Sequence, residues 1–196
     1  MTQKVIIFGG SFNPITTAHL NVAWEAHASL EGECQVWFVP TREHAFFKDL
    51  KPFEIRRQWL HKTLDSYENS PFKYDYKGMG PYMVDYLEDI QEKFPFDNFE
   101  FYILIGSDLI ETLPKWKNYI KLWDYNFIIV QRGLEKIDEE LILMPKYRIV
   151  KTFISDISST EVRLKIERGA PIKGLVPDCI EKEVKESYKH VNKIIA

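Results

Sequence analysis

With 196 residues, 45% of them apolar and 28% charged, the chain has enough material for one hydrophobic core, read as a single domain spanning residues 1–196, and too little for two full domains. A formal charge of −3 gives no general attraction to nucleic acid or to an anionic membrane, which sets aside a duplex-binding role. Cys34 and Cys179 form no CxxC and are too few for a structural zinc site, no uncharged apolar run approaches the roughly 18 residues of a membrane span, and residues 1–20 lack the pattern of a secretory leader, so a reducing cytoplasm is the expected setting.

The first element is an apolar run, Val5 to Phe8, with the β-branched content of a buried parallel strand. It is expected to break at Gly9-Gly10, where paired glycines would permit positive φ and let a ligand approach the backbone. Asn13-Pro14 then sets an extended or turn dipeptide, and Thr16 or Thr17 can cap a helix with His19 in its first turn. Strand, tight turn and helix N-terminus would bring free N–H groups and the positive end of a helix dipole to one point, which suits phosphate. Neither GxxxxGK[ST] nor GxGxxG is present, so this is neither a P-loop nor a dinucleotide fingerprint.

An amphipathic helix over Asn21–Leu30 and a buried strand over Gln35–Pro40 complete a βαβ unit. The polar stretch Thr41–Pro52 follows the carboxyl end of that strand, where Lys48 either holds a phosphate or is simply solvated. Phe53–Leu64 reads as a helix whose inward face is Ile55, Trp59, Leu60 and Leu64, with Arg56 and Arg57 on its other faces as ordinary surface arginines. Tyr74–Tyr82 is a loop, Met83–Phe94 a helix closed by Pro95, and Phe99–Ile105 a strand running into Gly106-Ser107-Asp108. Asp108 there either binds a ribose hydroxyl or a metal-linked water, or caps the next helix. That helix, Leu109–Leu122, is interrupted by Pro114, and Trp116 just beyond could stack on a planar ring or serve as packing. Phe127–Val130 is a strand with Arg132 at its end, residues 133–147 a surface excursion, and Arg148–Ile154 a last strand.

The closing motif is ISSTEVR, Ile157–Arg163. Ser158-x-x-Glu161 is a capping box, Val162 and Ile166 form the apolar stripe, and Gly169 with Pro171 stops the helix. One hydroxyl suffices for capping; Ser159, Thr160 and Arg163 are left to make a second anion site at a helix terminus. A final helix after Val176-Pro177 turns Ile180, Val184 and Tyr188 inward. The pattern predicts an α/β fold, a Rossmann-like doubly wound parallel sheet of five to six strands with helices on both faces. Two such helix N-termini at one sheet edge imply a long polyanion, most simply a triphosphate.

GGSFNPITTAH paired with ISSTEVR resembles the nucleotidylyltransferase superfamily, and GSD followed by LPKW in a chain of this length is similar to its nicotinate or nicotinamide mononucleotide adenylyltransferase branch. The resemblance covers essentially the whole chain. It implies that a pyridine mononucleotide's phosphate attacks the α-phosphorus of ATP, with Mg²⁺ bound alongside the ATP, releasing pyrophosphate without a covalent enzyme intermediate. His19 would contact the α-phosphate, and Thr16, where many bacterial members carry a histidine, would offer a hydroxyl to the phosphate instead. Gly9, Gly10, Ser11 and Phe12 would form the first ATP loop. Gly106 and Asp108 would be the nucleoside turn, and Ile157, Ser159, Thr160 and Arg163 the phosphate grip. Lys48 and Arg57 align with basic positions near the substrate, Tyr82, Met83 and Arg132 complete the substrate side, and Trp116 would stack on the pyridine. Ala18 replaces the signature's glycine, and Pro81-Tyr82-Met83 stands where deamidated-substrate enzymes often have Ser-Tyr-Thr, which leaves nicotinate against nicotinamide open. The alternatives are a superfamily member acting on phosphopantetheine or an alcohol phosphate, and a catalytically silent nucleotide sensor. Oligomeric state is also open, a homo-oligomer included.

Overall fold

A computed structural model of the protein describes residues 2–43, 50–94, 98–132, 137–152 and 157–189, so Lys48 lies outside the described residues. Six parallel strands form one sheet in the order β3-β2-β1-β4-β5-β6: β1 (Gln3–Gly10), β2 (Cys34–Pro40), β3 (Phe72–Tyr74), β4 (Phe99–Gly106), β5 (Asn126–Arg132) and β6 (Tyr147–Thr152). The chain winds outward from β1 to β3, then returns to the other side of β1 for β4. The reversal between β1 and β4 is the switch point at which doubly wound sheets open a crevice.

Alternation along β1 divides the core. Ile6 and Phe8 face a layer built from α1 (Thr17–Ala28), α2 (Phe53–Asp65), α4 (Ser159–Glu167) and α5 (Asp178–Lys189). Val5 and Ile7 face a second layer holding α3 (Met83–Lys93) and two 3₁₀ segments, Ser107–Lys115 and Tyr119–Asp124. All four residues are at most 8% exposed, which is why the strand reads as an unbroken apolar run rather than as an alternating one.

Several expectations need correction. The chain does not turn at Gly9-Gly10: both glycines stay inside β1, and the left-handed residue is Phe12, at φ 43°. The glycines are needed for space instead. A Cβ on Gly9 would sit 2.4 Å from the Met79 methyl and 2.8 Å from that of Met83, and one on Gly10 would press on the Phe12 ring at 3.1 Å. The first helix, Thr17–Ala28, starts directly after its Thr16 cap with His19 in the first turn, as the hydroxyl pair predicts, so the stretch expected over Asn21–Leu30 is the later part of a helix that ends at Ala28. The region read as one interrupted helix over Leu109–Leu122 is two 3₁₀ segments, with Pro114 inside the first and Asn118, at φ 48°, between them. The short edge strand β3 has no counterpart in the sequence reading; three residues are too few for a periodicity. Arg56, expected at the surface, is fully buried.

Candidate active site

The loop Ser11–Thr16, between β1 and α1, is the point on which distant parts of the chain converge. Asn13 is buried, and its Oδ1 accepts from the Tyr188 hydroxyl of α5 at 2.6 Å and from the Lys51 backbone N–H at 3.1 Å. Its carbonyl accepts from Arg163 Nη1 of α4 at 2.8 Å, and the next carbonyl, of Pro14, accepts from Ser159 Oγ at 2.7 Å. Arg163 Nη2 donates to Thr160 Oγ1 at 3.1 Å, which fixes the guanidinium along the first turn of α4. The N-termini of α1 and α4, separated by more than 140 residues, are therefore stitched to the same short loop. Ser158 caps α4 by accepting from the Glu161 N–H at 3.1 Å, the serine half of the expected capping box.

At α1 the cap is reciprocal. Thr16 accepts from the His19 N–H through its side chain, while the Thr16 N–H donates to His19 Nδ1 at 3.0 Å. Thr16 Oγ1 also lies 2.7 Å from Nδ1. A nitrogen that accepts a backbone N–H carries no hydrogen of its own, so the neutral imidazole bears its hydrogen on Nε2. The ring is wedged edge-on against Phe12, centroids 5.2 Å apart, and beside Phe8 at 6.0 Å. His19 thus has a fixed tautomer and a fixed plane. Thr16 is fully buried, and its hydroxyl is turned to the imidazole. The hydroxyl expected to face a phosphate is here engaged by His19. The expected supply of free N–H groups at α1 is also smaller: Thr17 donates its N–H to the Leu175 carbonyl at 3.0 Å, and its hydroxyl to that of Gly174 at 2.9 Å.

Beside this rim, at the switch point, lies a cavity of about 480 Å³. Its floor is the end of β1, Gly9 to Ser11, with Thr41 after β2. One wall is Met79 to Val84, and the other runs from Asp108 to Lys117, carrying Trp116. Backbone bonds tie the floor to the first wall: Thr41 N–H to the Gly10 carbonyl at 2.9 Å, Arg42 N–H to that of Met79 at 2.8 Å, and Met79 N–H to that of Pro40 at 3.0 Å. The second wall is tied to α3 from outside. Lys117 donates to both Asp85 oxygens at 2.8 Å, a hydrogen bond that holds its pKa above the usual lysine value, and its ammonium sits 4.9 Å above the Tyr82 ring.

Of the residues singled out by sequence, Gly9, Gly10, Ser11, Tyr82, Met83, Asp108 and Trp116 line this cavity, and Phe12, His19, Ser159, Thr160 and Arg163 gather at the neighbouring rim. Gly106 ends β4 two residues before Asp108, and Ile157 stands half-buried before the cap of α4. Arg57 is not part of the group: it pairs with Glu54 at 2.6 Å and lines a separate surface hollow with His61 and Tyr76. Arg132 ends β5. Sequence reasoning missed Asn13 as the hub and Arg56 beneath it. The second had a signal, since Arg56 shares the i, i+3, i+4, i+7 stripe of Trp59, Leu60 and Thr63, all buried.

A switch-point crevice with two helix N-termini at its rim and an apolar, tryptophan-bearing cavity alongside suits a ligand that carries phosphates and a planar ring. The cytidylyltransferase-like family model matches residues 7–165. A probable nicotinate-nucleotide adenylyltransferase of Dictyoglomus thermophilum is 33% identical over 192 residues, covering 91% of this chain and 95% of the relative. One from Borrelia turicatae is 29% identical over 194 residues, at 96% and 98%. The solved nicotinic acid mononucleotide adenylyltransferase of Plasmodium falciparum, complexed with NaAD, superposes with a TM-score of 0.79 at 27% identity over 97% of each chain. The chain belongs to the cytidylyltransferase-like family, in its nicotinate-nucleotide adenylyltransferase branch, and is an enzyme.

Proposed function

We propose that the chain joins the AMP moiety of ATP to nicotinate mononucleotide at the rim and cavity described above, forming the deamido dinucleotide and releasing pyrophosphate. An oxygen of the mononucleotide phosphate bonds to the α-phosphorus as the bond to the pyrophosphate oxygen breaks; no proton has to be moved and no enzyme group is acylated or phosphorylated. The work left to the protein is to align two polyanions and to meet the charge that develops between them.

The observation that carries this reading is the pair of bonds from Ser159 and Arg163 to the carbonyls of Pro14 and Asn13, which set two helix N-termini against one loop beside a cavity. On that rim, Nε2–H of His19 is the donor for the α-phosphate, with the backbone N–H of Ser159 and the side chains of Thr160 and Arg163 for the outer phosphates. Ser11 and Phe12 lie beneath them. Gly106 and Asp108 hold the nucleoside. The pyridine enters the cavity between Tyr82, Met83 and Trp116. Among the described residues no cluster of three or more His, Cys, Asp or Glu could hold a metal, and Mg²⁺ that arrives on ATP needs at most one or two protein carboxylates. Asp108 and Glu43 are the carboxylates in the cavity lining, and Asp108, at the nucleoside turn, is the one we assign to this role, where the metal would supply charge neutralisation between the phosphates. No helix among the described residues is long and apolar enough to cross a membrane, and we place the enzyme in the cytoplasm.

The test is incubation with ATP and Mg²⁺ together with nicotinate or nicotinamide mononucleotide, reading dinucleotide and pyrophosphate. The reading expects both products, with the nicotinate compound preferred. Product from neither would leave a nucleotide-binding protein of another activity, and preference for nicotinamide mononucleotide would reassign the acceptor.

A further inference from the structure

Arg56 is fully buried, in the first turn of α2, and among the described residues no carboxylate pairs with it. Its guanidinium is spent on backbone carbonyls: Nε donates to Lys51 at 2.8 Å, Nη1 to Ser11 at 2.6 Å, and Nη2 to Thr41 at 2.8 Å and Arg42 at 3.2 Å. Three segments are thereby held by one side chain: the loop after β1, the loop after β2, and the entry to α2. Burial lowers its pKa from the usual arginine value, yet a guanidinium stays charged, so a desolvated cation lies one peptide below the floor of the cavity that Ser11 and Thr41 line. Natural chains seldom bury such a charge without a counter-ion, because its desolvation is costly.

The Ser11 carbonyl is the informative partner. In a planar trans peptide the following N–H is antiparallel to it, so the Phe12 N–H points away from the guanidinium. Phe12 itself is held at φ 43°, a left-handed backbone that a phenylalanine adopts only under constraint. The short bond from Arg56 to Ser11 supplies that constraint at the residue immediately before it.

We infer that Arg56 is a positioning residue for the polyphosphate of ATP: by gripping the Ser11 and Thr41 carbonyls it fixes the left-handed step at Phe12 and presents that backbone to a bound phosphate. The inference rests on the ATP-binding reading above. It differs from a purely structural role in one respect, since loosening the grip weakens binding of the phosphates far more than binding of the nucleoside.

The experiment measures dissociation constants for ATP and for adenosine, the latter by saturation-transfer NMR, in the wild type, Arg56→Lys and Arg56→Met, with thermal melts on each. Lys keeps the charge but cannot hold all of these carbonyls, and Met holds none. The expected result is an ATP affinity weakened about fivefold in Arg56→Lys and about tenfold or more in Arg56→Met, with adenosine changed by less than about twofold. An equal loss for both ligands, or an unchanged ATP constant, overturns the inference. If Arg56→Met cannot be recovered folded, the ratio in Arg56→Lys decides the matter alone. Wild-type protein that fails to bind ATP would remove the ATP site itself and this inference with it.

Discussion

The rim around Ser11–Thr16 and the walls of the adjoining cavity are neighbours built on opposite principles. At the rim the contacts are mainly directed polar bonds and the residues that anchor them are buried: Asn13, Thr16 and Arg56 are at most 3% exposed, and each is held by bonds to other segments or to His19. The cavity walls are dominated by Met79, Met83, Leu109 and Trp116, and the ion pair at their edge, Lys117 with Asp85, is 43% and 49% exposed. A phosphate must meet donors already in place, because a donor that has to reorganise stabilises the transition state less. A planar ring asks only for apolar surface of the right shape, and methionine adapts to that without directed bonds. The rim is therefore the part where single atoms matter to rate, and the walls the part where area matters to affinity.

Replacing His19 with Ala tests the first half of that contrast most severely. One preorganised donor is worth about 10²–10³-fold in kcat, and a large fall of that order is expected. The same change removes half of the reciprocal cap, so the melting curve should move by no more than about 1 kcal/mol of stability. A loss of stability matching the loss of activity would make the imidazole a structural group. On the other side, Trp116→Ala removes ring area from the cavity wall and should raise KM for the mononucleotide about tenfold while leaving KM for ATP within about twofold. If both constants rise together, the two regions are not separable in the way their construction suggests.

Thr16→Val matches Trp116→Ala in size and asks whether a residue that touches no substrate can act through one that does. Among the described residues its hydroxyl reaches only His19, so turnover should fall about tenfold with little change in either KM, and stability by about 1 kcal/mol for the lost cap. Thr16→Ser keeps the hydroxyl and should recover most of the turnover. A rise in KM for ATP instead would mean that the hydroxyl reaches the phosphate after all.

The sheet was legible from sequence because buried parallel strands are continuous apolar runs, and β1, β2, β4 and β5 each have one. The helix caps at Thr16 and Ser158 were legible because capping is local chemistry between residues three apart. What stayed hidden is non-local. That Asn13 joins Lys51, Arg163 and Tyr188 depends on which loops the fold brings together, and no spacing encodes it. A glycine pair after a strand suggests backbone freedom, whereas Gly9 serves proximity to Met79 and Met83, some seventy positions away, and Gly10 proximity to the Phe12 ring. Arg56 was assigned by its charge when its position on the apolar stripe of α2 was the better guide, and Arg57 drew the role that its neighbour has the geometry to fill.

The smallest expected effect concerns the exposed tie behind Trp116. Lys117 holds Asp85, and Lys121, one turn on, holds Glu88 at 2.6 Å, so two ion pairs run along one face of α3 and pin the second cavity wall to it. Pairs this exposed are screened by salt and contribute little each. Lys117→Met should then change KM for the mononucleotide by less than about threefold at physiological ionic strength, with the difference shrinking further in high salt. A larger, salt-resistant rise would mean that the ammonium reads the substrate directly, across the face of Tyr82 on which it rests, and that the apolar wall carries a charged element of recognition of its own.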